Sequence, residues 1–353
     1  MNPQNTQLPS RNLSVNDEPE TISERKQTHL NLCLNERVRG NGADLSGIRL
    51  PYDALFSVSP ERLDTSGKIA GIPVSFPLMF GAMTGGTPAA ADFNTALRKL
   101  AGKYGLAMEL GSMRALLHDG TLLSTYGTGE VQALFANIGC SEITPSNAGQ
   151  ILEACKKLGA SGLCIHLNGL QEWMQEEGNH AFSCSTDTLS AFIERFPLPV
   201  LIKEVGSGIG GECARKIARL PIAGIETASL GGTSWIRIEA MRRSVPVSAP
   251  NAEALNDLGY DIVTAIKDCR RYLDRGQTLI ASGGISNAVD LVKCLYLGAD
   301  MAAIARPLYA VWHDAGEAGL EAFVSEWIEI GKLTWRSTGC RDLKTLKSLH
   351  QNS

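Results

Sequence analysis

The sequence predicts an α/β protein of the (β/α)8 class, the TIM barrel. Eight short apolar runs follow one another along the chain, and each ends in Gly, Ser or a polar residue. Segments in which apolar residues recur at helical spacing lie between these runs, and no linker composition divides the chain. Strands that alternate with helices form a parallel sheet, and eight such units in about 240 residues match this barrel, whose functional sites lie at the C-terminal ends of the strands.

The N-terminal part of the chain precedes the barrel. The first 20 residues are polar and contain no apolar stretch, so we expect residues 1–20 to be a disordered tail. The segment Arg25–His29 is typical of the start of a short helix, and loop-rich chain follows to about residue 70. We therefore predict one domain over residues 21–353, with its barrel core at about residues 70–310, a polar N-terminal extension and C-terminal closing helices.

The eight strand candidates are short and apolar. Each is followed by glycine or a polar side chain, as expected where a barrel strand ends at a ligand-facing rim. In chain order they are residues 76–80, 106–110, 134–136, 162–165, 200–202, 223–225, 279–281 and 301–304.

Helical periodicity is clearest at residues 147–158, and residues 212–220 and 288–297 behave similarly. The stretch from Leu308 onward carries several aromatic residues and predicts helices that close the barrel.

The composition limits the possible classes of function. With 44% hydrophobic and 20% charged residues, the 353-residue chain can bury a large core. A net charge of -4 gives no general attraction for nucleic acid or an anionic membrane, so we expect neither as a partner. The nine cysteines form no CxxC pair, which indicates reduced thiols. Because the sequence has neither a secretory signal nor a long apolar stretch, we predict a cytoplasmic enzyme.

The densest group of polar side chains follows the fourth strand candidate. His166, Asn168, Gln171 and Glu172 occur within seven residues. Alternate positions of a strand face the same side, so His166 and Asn168 can face one pocket. Polar groups at the end of an apolar strand are costly unless a ligand or partner satisfies them. This segment is therefore the first candidate for catalysis and substrate binding.

Loops that could bind an anion follow the last three strand candidates, and the first two are rich in glycine. They contain Gly231–Ser234, Ser282–Gly284 and Ala305–Pro307. Such glycines serve either tight turns or anion binding, and TIM barrels often bind phosphate at the loops after strands 7 and 8. Three such loops on neighbouring strands favour a phosphate-bearing cofactor, and FMN fits best.

A second motif competes with this interpretation. Residues 206–211 have the GxGxxG spacing, and Glu226 lies 20 residues past Gly206, as in a dinucleotide-binding fold. That fingerprint usually belongs to the first βα turn, whereas four strand candidates precede this one. Dinucleotide binding is therefore kept as an alternative.

Two charged residues near these loops each have two interpretations. Lys203 ends the fifth strand candidate. In a functional role its ammonium would stabilise an anionic reduced flavin. In a structural role it would extend to solvent or pair with Glu204. Glu172 would bind Mg²⁺ together with substrate phosphates, or would be an acid favoured at a helix N-terminus.

A cationic cluster near the N-terminus is a candidate diphosphate site. Arg25, Lys26 and His29 are close in sequence, and Arg114 follows a strand-end Gly-Ser pair. Together they would hold a diphosphate, whereas Arg25 and Lys26 alone would equally fit a solvated helix face.

Seven motifs in a fixed order connect these candidates. They are Arg25–His29, Met83–Gly86, Leu110–Arg114, His166–Glu172, Lys203–Gly206, Gly231–Trp235 and Ser282–Ile285. The ordered set resembles the type 2, FMN-dependent isopentenyl-diphosphate isomerases, over about residues 24–345. The resemblance implies a TIM barrel that uses FMN, Mg²⁺ and a reductant such as NADPH, acts on a small diphosphate substrate, and forms a tetramer or octamer.

The resemblance also implies roles for individual residues. It implies Gln171, Lys203 and His166 as the catalytic group and Glu172 as the Mg²⁺ ligand. The residues implied to contact substrate are Arg25, Lys26, His29, Arg114, Asn168 and Gln171. The residues implied to contact FMN are Met83, Thr84, Ser112, Asn137, Lys203, Thr233, Gly283 and Ala305.

The chain departs from the family pattern at four peripheral positions. Ala82, Glu176, Asn179 and Leu258 stand where Ser, Pro, Asp and Trp are usual. Contacts made by the usual residues at these positions are not carried over to this chain.

The implied reaction interconverts isopentenyl and dimethylallyl diphosphate by adding a proton at C4 and removing one from C2, without net redox. Gln171 has no useful pKa and Glu172 is assigned to the metal, so reduced flavin is the expected acid and base.

Two alternatives stay open. One is an FMN-dependent oxidoreductase of the 2-hydroxy acid oxidase type, although no histidine occurs between His180 and His313 to serve as its base. The other is a non-catalytic phosphate-ligand binder.

Overall fold

The computed structural model describes residues 22–180, 184–244 and 247–351, and it contains a closed barrel of eight parallel strands. Two short antiparallel strands, β1 (Gly67–Ile69) and β2 (Ile72–Val74), precede the barrel. The barrel strands are β3 (Leu78–Phe80), β4 (Ala107–Ser112), β5 (Ala133–Gly139), β6 (Gly162–Leu167), β7 (Val200–Glu204), β8 (Gly224–Glu226), β9 (Thr278–Ser282) and β10 (Met301–Ile304). They pair in chain order, and β10 pairs with β3 to close the barrel. The predicted TIM barrel is confirmed, and each strand candidate overlaps one barrel strand.

Helices surround and extend the barrel. They are α1 (Ile22–Cys33), α2 (Ala91–Tyr104), α3 (Arg114–His118), α4 (Ala148–Leu158), α5 (Gly169–Met174), α6 (Thr186–Ile193), α7 (Gly211–Ala218), α8 (Trp235–Arg242), α9 (Ala249–Asn256), α10 (Ile262–Tyr272), α11 (Ala288–Tyr296), α12 (Arg306–Arg336) and α13 (Leu343–Gln351). Short 3₁₀ segments lie at Glu36–Val38, Pro60–Arg62, Pro88–Ala90, Gly120–Tyr126 and Cys140–Glu142. The helices predicted between strands and after the last strand are present, and the predicted tail at residues 1–20 lies outside the described residues.

The ends of several helices follow from local sequence. The side chains of Ser234, Asp261 and Asn287 accept hydrogen bonds from backbone N–H groups in the first turns of α8, α10 and α11. Gly105 and Gly159 end α2 and α4 in the left-handed conformation, with φ of 62° and 69°. These caps satisfy backbone groups that the helix ends leave without partners.

Several strands extend further than the sequence predicted, β5, β6 and β7 among them. β5, β6 and β7 continue to Gly139, Leu167 and Glu204. His166 pairs in register with Lys203. The sequence-based ends were placed where the apolar run stops. A strand continues past that point, because the backbone N–H and C=O groups of the next residues still need ladder partners. The register sets the side chains of His166 and Lys203 side by side.

The β1–β2 hairpin was not predicted, and it packs against the barrel interior at the N-terminal ends of the strands. Ile69 and Val74 belong to one buried cluster with Met79 and Phe135, which point into the barrel. The backbone N–H of residue 70 also donates to the side chain of Thr278, the first residue of β9. The hairpin therefore closes the end of the barrel opposite the polar strand ends.

This closure gives a stability prediction. Ile69 is fully buried, so Ile69→Ala should lower the free energy of unfolding by about 2–5 kcal/mol through lost burial and the cavity left behind. Lys68→Ala, in the same strand but exposed, should change it by less than about 0.5 kcal/mol. Chemical denaturation of both variants checks this, and equal effects would show that the hairpin does not pack as described.

Among the described residues, none of the helices combines the length and the apolar character that crossing a membrane requires.

Candidate active site at the C-terminal end of the barrel

A cavity of about 300 Å³ lies where the barrel strands end. Helix α1 and the loops after the strands form its walls. Every residue to which the sequence assigned a site role lines this one cavity: Arg25, Lys26, His29, Met83, Thr84, Ser112, Arg114, Asn137, His166, Asn168, Gln171, Glu172, Lys203, Thr233, Gly283 and Ala305. The structure thus brings these residues together, while their individual roles stay predictions.

Lys203 lies deep in the cavity, with 7% of its surface exposed. Its Nζ donates to the backbone oxygen of Glu204 at 3.0 Å and lies 3.8 Å from Glu226 Oε1. Burial opposes its charge, but the carboxylates of Glu226 and Glu109 outweigh burial and raise the pKa of Lys203. The alternative in which Lys203 reaches solvent is wrong, because the side chain is buried. The alternative in which it pairs with the Glu204 side chain is also wrong: Nζ donates to the backbone oxygen of Glu204, whereas the Glu204 carboxylate accepts hydrogen bonds from the next three backbone N–H groups.

His166 is half-buried beside Asn137 on the neighbouring strand. Its Nδ1 lies 2.6 Å from Asn137 Oδ1, and Asn137 Nδ2 donates to Glu109 Oε1 at 2.5 Å. Burial, together with the charges of Lys203 and Lys26, lowers the pKa of His166 to about 3. The imidazole is therefore neutral at physiological pH.

Helix α1 brings a cationic cluster over the mouth of the barrel. Lys26 Nζ donates to the backbone oxygens of Gly85 and Ser112, at 2.5 and 2.6 Å. Burial and the guanidinium groups of Arg25 and Arg114 lower the pKa of Lys26 to about 7. The solvated-face alternative for this segment is wrong for Lys26, because its ammonium is held between two strand-end loops. The cluster forms a concentration of positive charge at one wall of the cavity.

The two arginines of the cluster each have an acidic partner. Arg25 Nη1 lies 3.2 Å from Glu177 Oε1, and Arg114 Nε lies 3.2 Å from Glu142 Oε1. These pairs are partly exposed, so they hold the guanidinium groups at the cavity edge at little energetic gain.

Glu172 and Asn168 carry buried oxygens that lack partners. Glu172 is 4% exposed, and its Oε1 accepts a hydrogen bond from Ser141 Oγ at 3.2 Å. Glu172 Oε2 and Asn168 Oδ1 are buried and have no hydrogen-bond partner in the described part of the chain. Unsatisfied buried oxygens are costly. Two such oxygens beside one cavity fit the ligand preference of a hard cation such as Mg²⁺.

Glu239 on α8 is a site residue that the sequence did not predict. Its Oε1 accepts hydrogen bonds from Gln171 Nε2 at 3.0 Å and from Gln175 Nε2 at 2.9 Å, and its Oε2 pairs with Arg242 at 2.5 Å. His29 Nε2 also lies 3.0 Å from Oε1. Burial works against its charge, but these neighbours outweigh burial and lower the pKa of Glu239 to about 2. In the sequence it is one acid on a helix, with no signal that distinguishes it from a surface residue.

Two glycines in the glycine-rich loops are required by the backbone conformation, and the loops also line the cavity. A Cβ at Gly231 (φ 104°) would lie 2.2 Å from the Gly42 carbonyl oxygen, and one at Gly283 (φ 109°) would lie 2.2 Å from the Ser229 carbonyl oxygen. The tight-turn interpretation therefore holds for these two positions. The loops still line the cavity, and α12 begins beside it at Arg306, where a helix N-terminus favours an anion.

The dinucleotide-binding alternative is wrong. Residues 206–211 follow β7, which is an interior strand of a closed barrel and not the first strand of an open sheet. Glycines 208 and 210 leave room for Tyr260, which a Cβ at either position would meet. Glu226 is buried among the strands and accepts a hydrogen bond from Ser282 Oγ at 2.8 Å, so it is not placed to hold a ribose.

Of the departures from the family pattern, only Ala82 lines the cavity. Its backbone N–H donates to Glu109 Oε2 at 3.2 Å. Glu176 accepts hydrogen bonds from Ser244, and Leu258 is 51% exposed. These departures therefore leave the central group of polar residues in place.

Comparisons with known proteins agree with the geometry. A family model described as FMN-dependent dehydrogenase matches residues 135–352. The isopentenyl-diphosphate delta-isomerase of Mycobacterium marinum is 35% identical over 347 residues, which cover 95% of this chain and 98% of that protein. The isopentenyl-diphosphate delta-isomerase of Mycolicibacterium gilvum is 34% identical over 299 residues, which cover 83% of this chain and 86% of that protein.

A solved structure of a mandelate oxidase variant with a C4a-OH-FMN adduct matches with a TM-score of 0.62 and 14% identity, over 91% of this chain and 96% of that chain. At that identity the likeness concerns the fold alone. The sequence matches also establish the family, because about one residue in three is identical over nearly the whole chain. The chain therefore belongs to the FMN-dependent dehydrogenase family and to the family of isopentenyl-diphosphate delta-isomerases.

Proposed function

We propose that this protein interconverts isopentenyl diphosphate and dimethylallyl diphosphate, with FMN and Mg²⁺ bound in the barrel cavity. The observation that carries the proposal is the division of one cavity into three chemically different parts. Its lining contains the cationic cluster, the unpaired buried oxygens of Glu172 and Asn168, and neutral polar side chains that include His166 next to Lys203 in the strand register.

The cationic cluster suits the diphosphate. Arg25 and Arg114 would bind phosphate oxygens through planar guanidinium groups, and Lys26 would act as a point charge. Binding energy from the diphosphate would orient a five-carbon chain that has no polar group of its own. This assignment explains why Lys26 is held where burial lowers its pKa to about 7, because a bound anion would favour its charged form.

Glu172 and Asn168 fit the metal. One carboxylate together with substrate phosphate oxygens is a usual way for a protein to hold Mg²⁺. The buried Glu172 Oε2 and Asn168 Oδ1 would gain the partner that the described residues do not supply. The metal would then join the cationic cluster in neutralising the diphosphate.

The remaining strand ends fit the flavin. The cavity lining at the strand ends and in the loops after them includes Met83, Thr84, Ser112, Asn137, Thr233, Gly283 and Ala305. Reduced FMN, when bound, supplies the proton donor and acceptor of the reaction without being consumed. Lys203 would hold negative charge near the ring, since its ammonium is buried and remains protonated.

The side chains near the alkene position would orient and shield the reacting carbon atoms. Gln171 is an amide, His166 is neutral, and the carboxylate of Glu239 is ionised, so none of the three is a strong acid at neutral pH. Glu239 accepts the Gln171 Nε2 hydrogen bond, which fixes the direction of that amide. NADPH as the reductant and a tetramer or octamer as the assembly belong to the same proposal.

Anaerobic incubation of the protein with isopentenyl diphosphate, FMN, NADPH and Mg²⁺, followed by product analysis, tests the function. Dimethylallyl diphosphate should form in many-fold excess over NADPH consumed. Stoichiometric consumption of NADPH would indicate an oxidoreductase instead. Protein that binds the diphosphate without forming product, at full FMN occupancy, would leave only a phosphate-ligand binder.

The lowered pKa of Lys26 predicts proton uptake on binding. At pH 8 the ammonium is largely deprotonated, because its pKa of about 7 lies below that pH. A diphosphate beside it raises the pKa, so binding of dimethylallyl diphosphate to the oxidised holoenzyme should take up close to one proton more in the wild type than in Lys26→Arg, which stays charged. At pH 6 the two proteins should differ little, because Lys26 is already protonated.

Calorimetric titration in two buffers of different ionisation enthalpy measures this difference. Protons exchanged by the ligand and the metal cancel between the two proteins. Equal proton uptake at pH 8 would contradict the placement of the diphosphate next to Lys26.

A further inference from the structure

Glu109 is a buried carboxylate on β4, inside the barrel beneath the candidate active site. Its oxygens contact side chains and backbone that the site uses, yet nothing in the proposed reaction requires it. We propose that Glu109 is a positioning residue that acts through Asn137 to hold His166 as the Nδ1–H tautomer, so that the cavity meets an unprotonated Nε2.

The hydrogen-bond chain sets the direction of each donor. A carboxylate only accepts hydrogen bonds, so the amide nitrogen of Asn137 must face Glu109 Oε1, 2.5 Å away. The Asn137 Oδ1 then faces His166 Nδ1 at 2.6 Å. A carbonyl oxygen also only accepts, so Nδ1 carries the hydrogen. In a neutral imidazole, Nε2 is then the acceptor.

Both oxygens of Glu109 face N–H donors, which is the arrangement that a carboxylate satisfies. The backbone N–H of Ala82 donates to Glu109 Oε2 at 3.2 Å, and Lys203 supplies a positive charge close by. Oxygens of Glu109 and Glu226 and the sulfur of Cys164 lie within 4.8 Å of one another. Two buried carboxylates beside one ammonium leave one negative charge too many for this interior.

The surroundings of Glu226 favour its protonated form. Its Oε2 is buried and has no hydrogen-bond partner in the described part of the chain. Burial and the neighbouring Glu109, opposed by Lys203, raise the pKa of Glu226 to about 8. Burial, together with Glu109 and Glu226, also raises the pKa of Cys164 well above its usual value, so this thiol stays neutral. Lys203 supplies the positive charge beside this Glu–Cys–Glu group.

The tautomer decides what His166 can do in the cavity. With Nδ1 directed at the Asn137 Oδ1, the ring presents Nε2 to the cavity as an acceptor. Its Nε2 lies at the strand end beside Gly139, where a Cβ would approach to 3.0 Å. An acceptor here would bind a hydroxyl, an N–H group or a water molecule. Its importance for turnover rests on the proposed isomerase function, whereas the tautomer itself does not.

Magic-angle-spinning NMR of the full-length holoprotein labelled with ¹⁵N-histidine tests the proposal. The His166 signals, identified by their absence in His166→Gln, should show a protonated Nδ1 and an unprotonated Nε2 at pH 7. The ¹³C shift of the Glu109 carboxyl group should be that of a carboxylate. An Nε2–H tautomer, or a protonated Glu109, would overturn the proposal, even if the protein is an active isomerase.

Two substitutions test the dependence on Glu109. Glu109→Gln retains an oxygen that can accept from Asn137, so the His166 tautomer should be unchanged. Glu109→Leu removes the acceptor, so both tautomers should appear and the turnover number should fall about tenfold with little change in KM. Unchanged His166 signals in a folded Leu variant would show that Glu109 does not position the ring. Should that variant not fold, the wild-type tautomer and the Glu109 carboxyl shift still decide the matter. If the wild type shows the expected tautomer but no isomerase activity, this inference stands and the proposed function is wrong.

Discussion

Lys203→Ala is expected to lower isomerase turnover by about 10²–10³-fold, the range seen when a buried electrostatic partner of a reaction is removed. The reason is the position of the ammonium. It is buried, positively charged, and next to His166 in the strand register. Among the site residues described, no other cation lies as deep in the barrel, so none can replace its charge. Reduced FMN should also bind more weakly, because its negative charge would lose this partner. Steady-state assays with saturating FMN and a titration of the reduced flavin measure the two effects.

Loss of Lys203 also leaves Glu109 and Glu226 without their cation, which costs about 3–5 kcal/mol of stability. The double variant Lys203→Ala/Glu109→Gln, which also removes the carboxylate that Lys203 balances, should recover much of that stability without recovering turnover, which separates charge balance from catalysis. Lys156→Ala, which removes an exposed lysine on α4, is the matched control and should leave both properties unchanged. Wild-type turnover of Lys203→Ala at full FMN occupancy would remove Lys203 from the catalytic group.

Glu172→Gln is expected to reduce turnover by about 10²-fold or more at a fixed, low concentration of Mg²⁺, because a metal that binds substrate contributes several kcal/mol of charge stabilisation. The substitution retains the size of the side chain and a hydrogen bond to Ser141, but it replaces an anionic ligand with a neutral one. The Mg²⁺ concentration for half-maximal activity should therefore rise. A Mg²⁺ titration of activity, preceded by chelation of bound metal, measures the shift.

Glu194→Gln, an exposed acid next to the end of α6, is the matched control for loss of one negative charge. Its Mg²⁺ dependence should equal that of the wild type. If Glu172→Gln lowers turnover equally at all Mg²⁺ concentrations, the carboxylate orients substrate or structure and does not bind the metal.

The sequence predicted the barrel because the information for it is local. An apolar run that stops at glycine or a polar residue specifies a buried strand wherever it stands, and eight of them with intervening helices leave few architectures. The same rule predicted that His166, Lys203 and Ser282 would meet, because the ends of parallel strands lie at one rim. Their grouping in one cavity follows from topology, even though they are far apart in the chain.

The positions of the N-terminal cations depended on the family resemblance and not on local pattern. No periodicity in the segment around Arg25 indicates that α1 crosses the mouth of the barrel. The contacts that hold it there are long-range, such as those from Lys26 to the backbone oxygens of Gly85 and Ser112. The local sequence of α1 would be the same if Lys26 were solvated as it is with the Lys26 ammonium held by these loops.

By itself, the sequence determined which apolar runs form the barrel strands and which polar groups follow them. Only the tertiary structure decided which acids are buried and what they hold. Glu109 contacts Asn137 inside the barrel, and Glu239 accepts the amide of Gln171 from a helix far along the chain. The physical reason is that the charge and pKa of an acid depend on the dielectric and the partners around it, and folding alone supplies both.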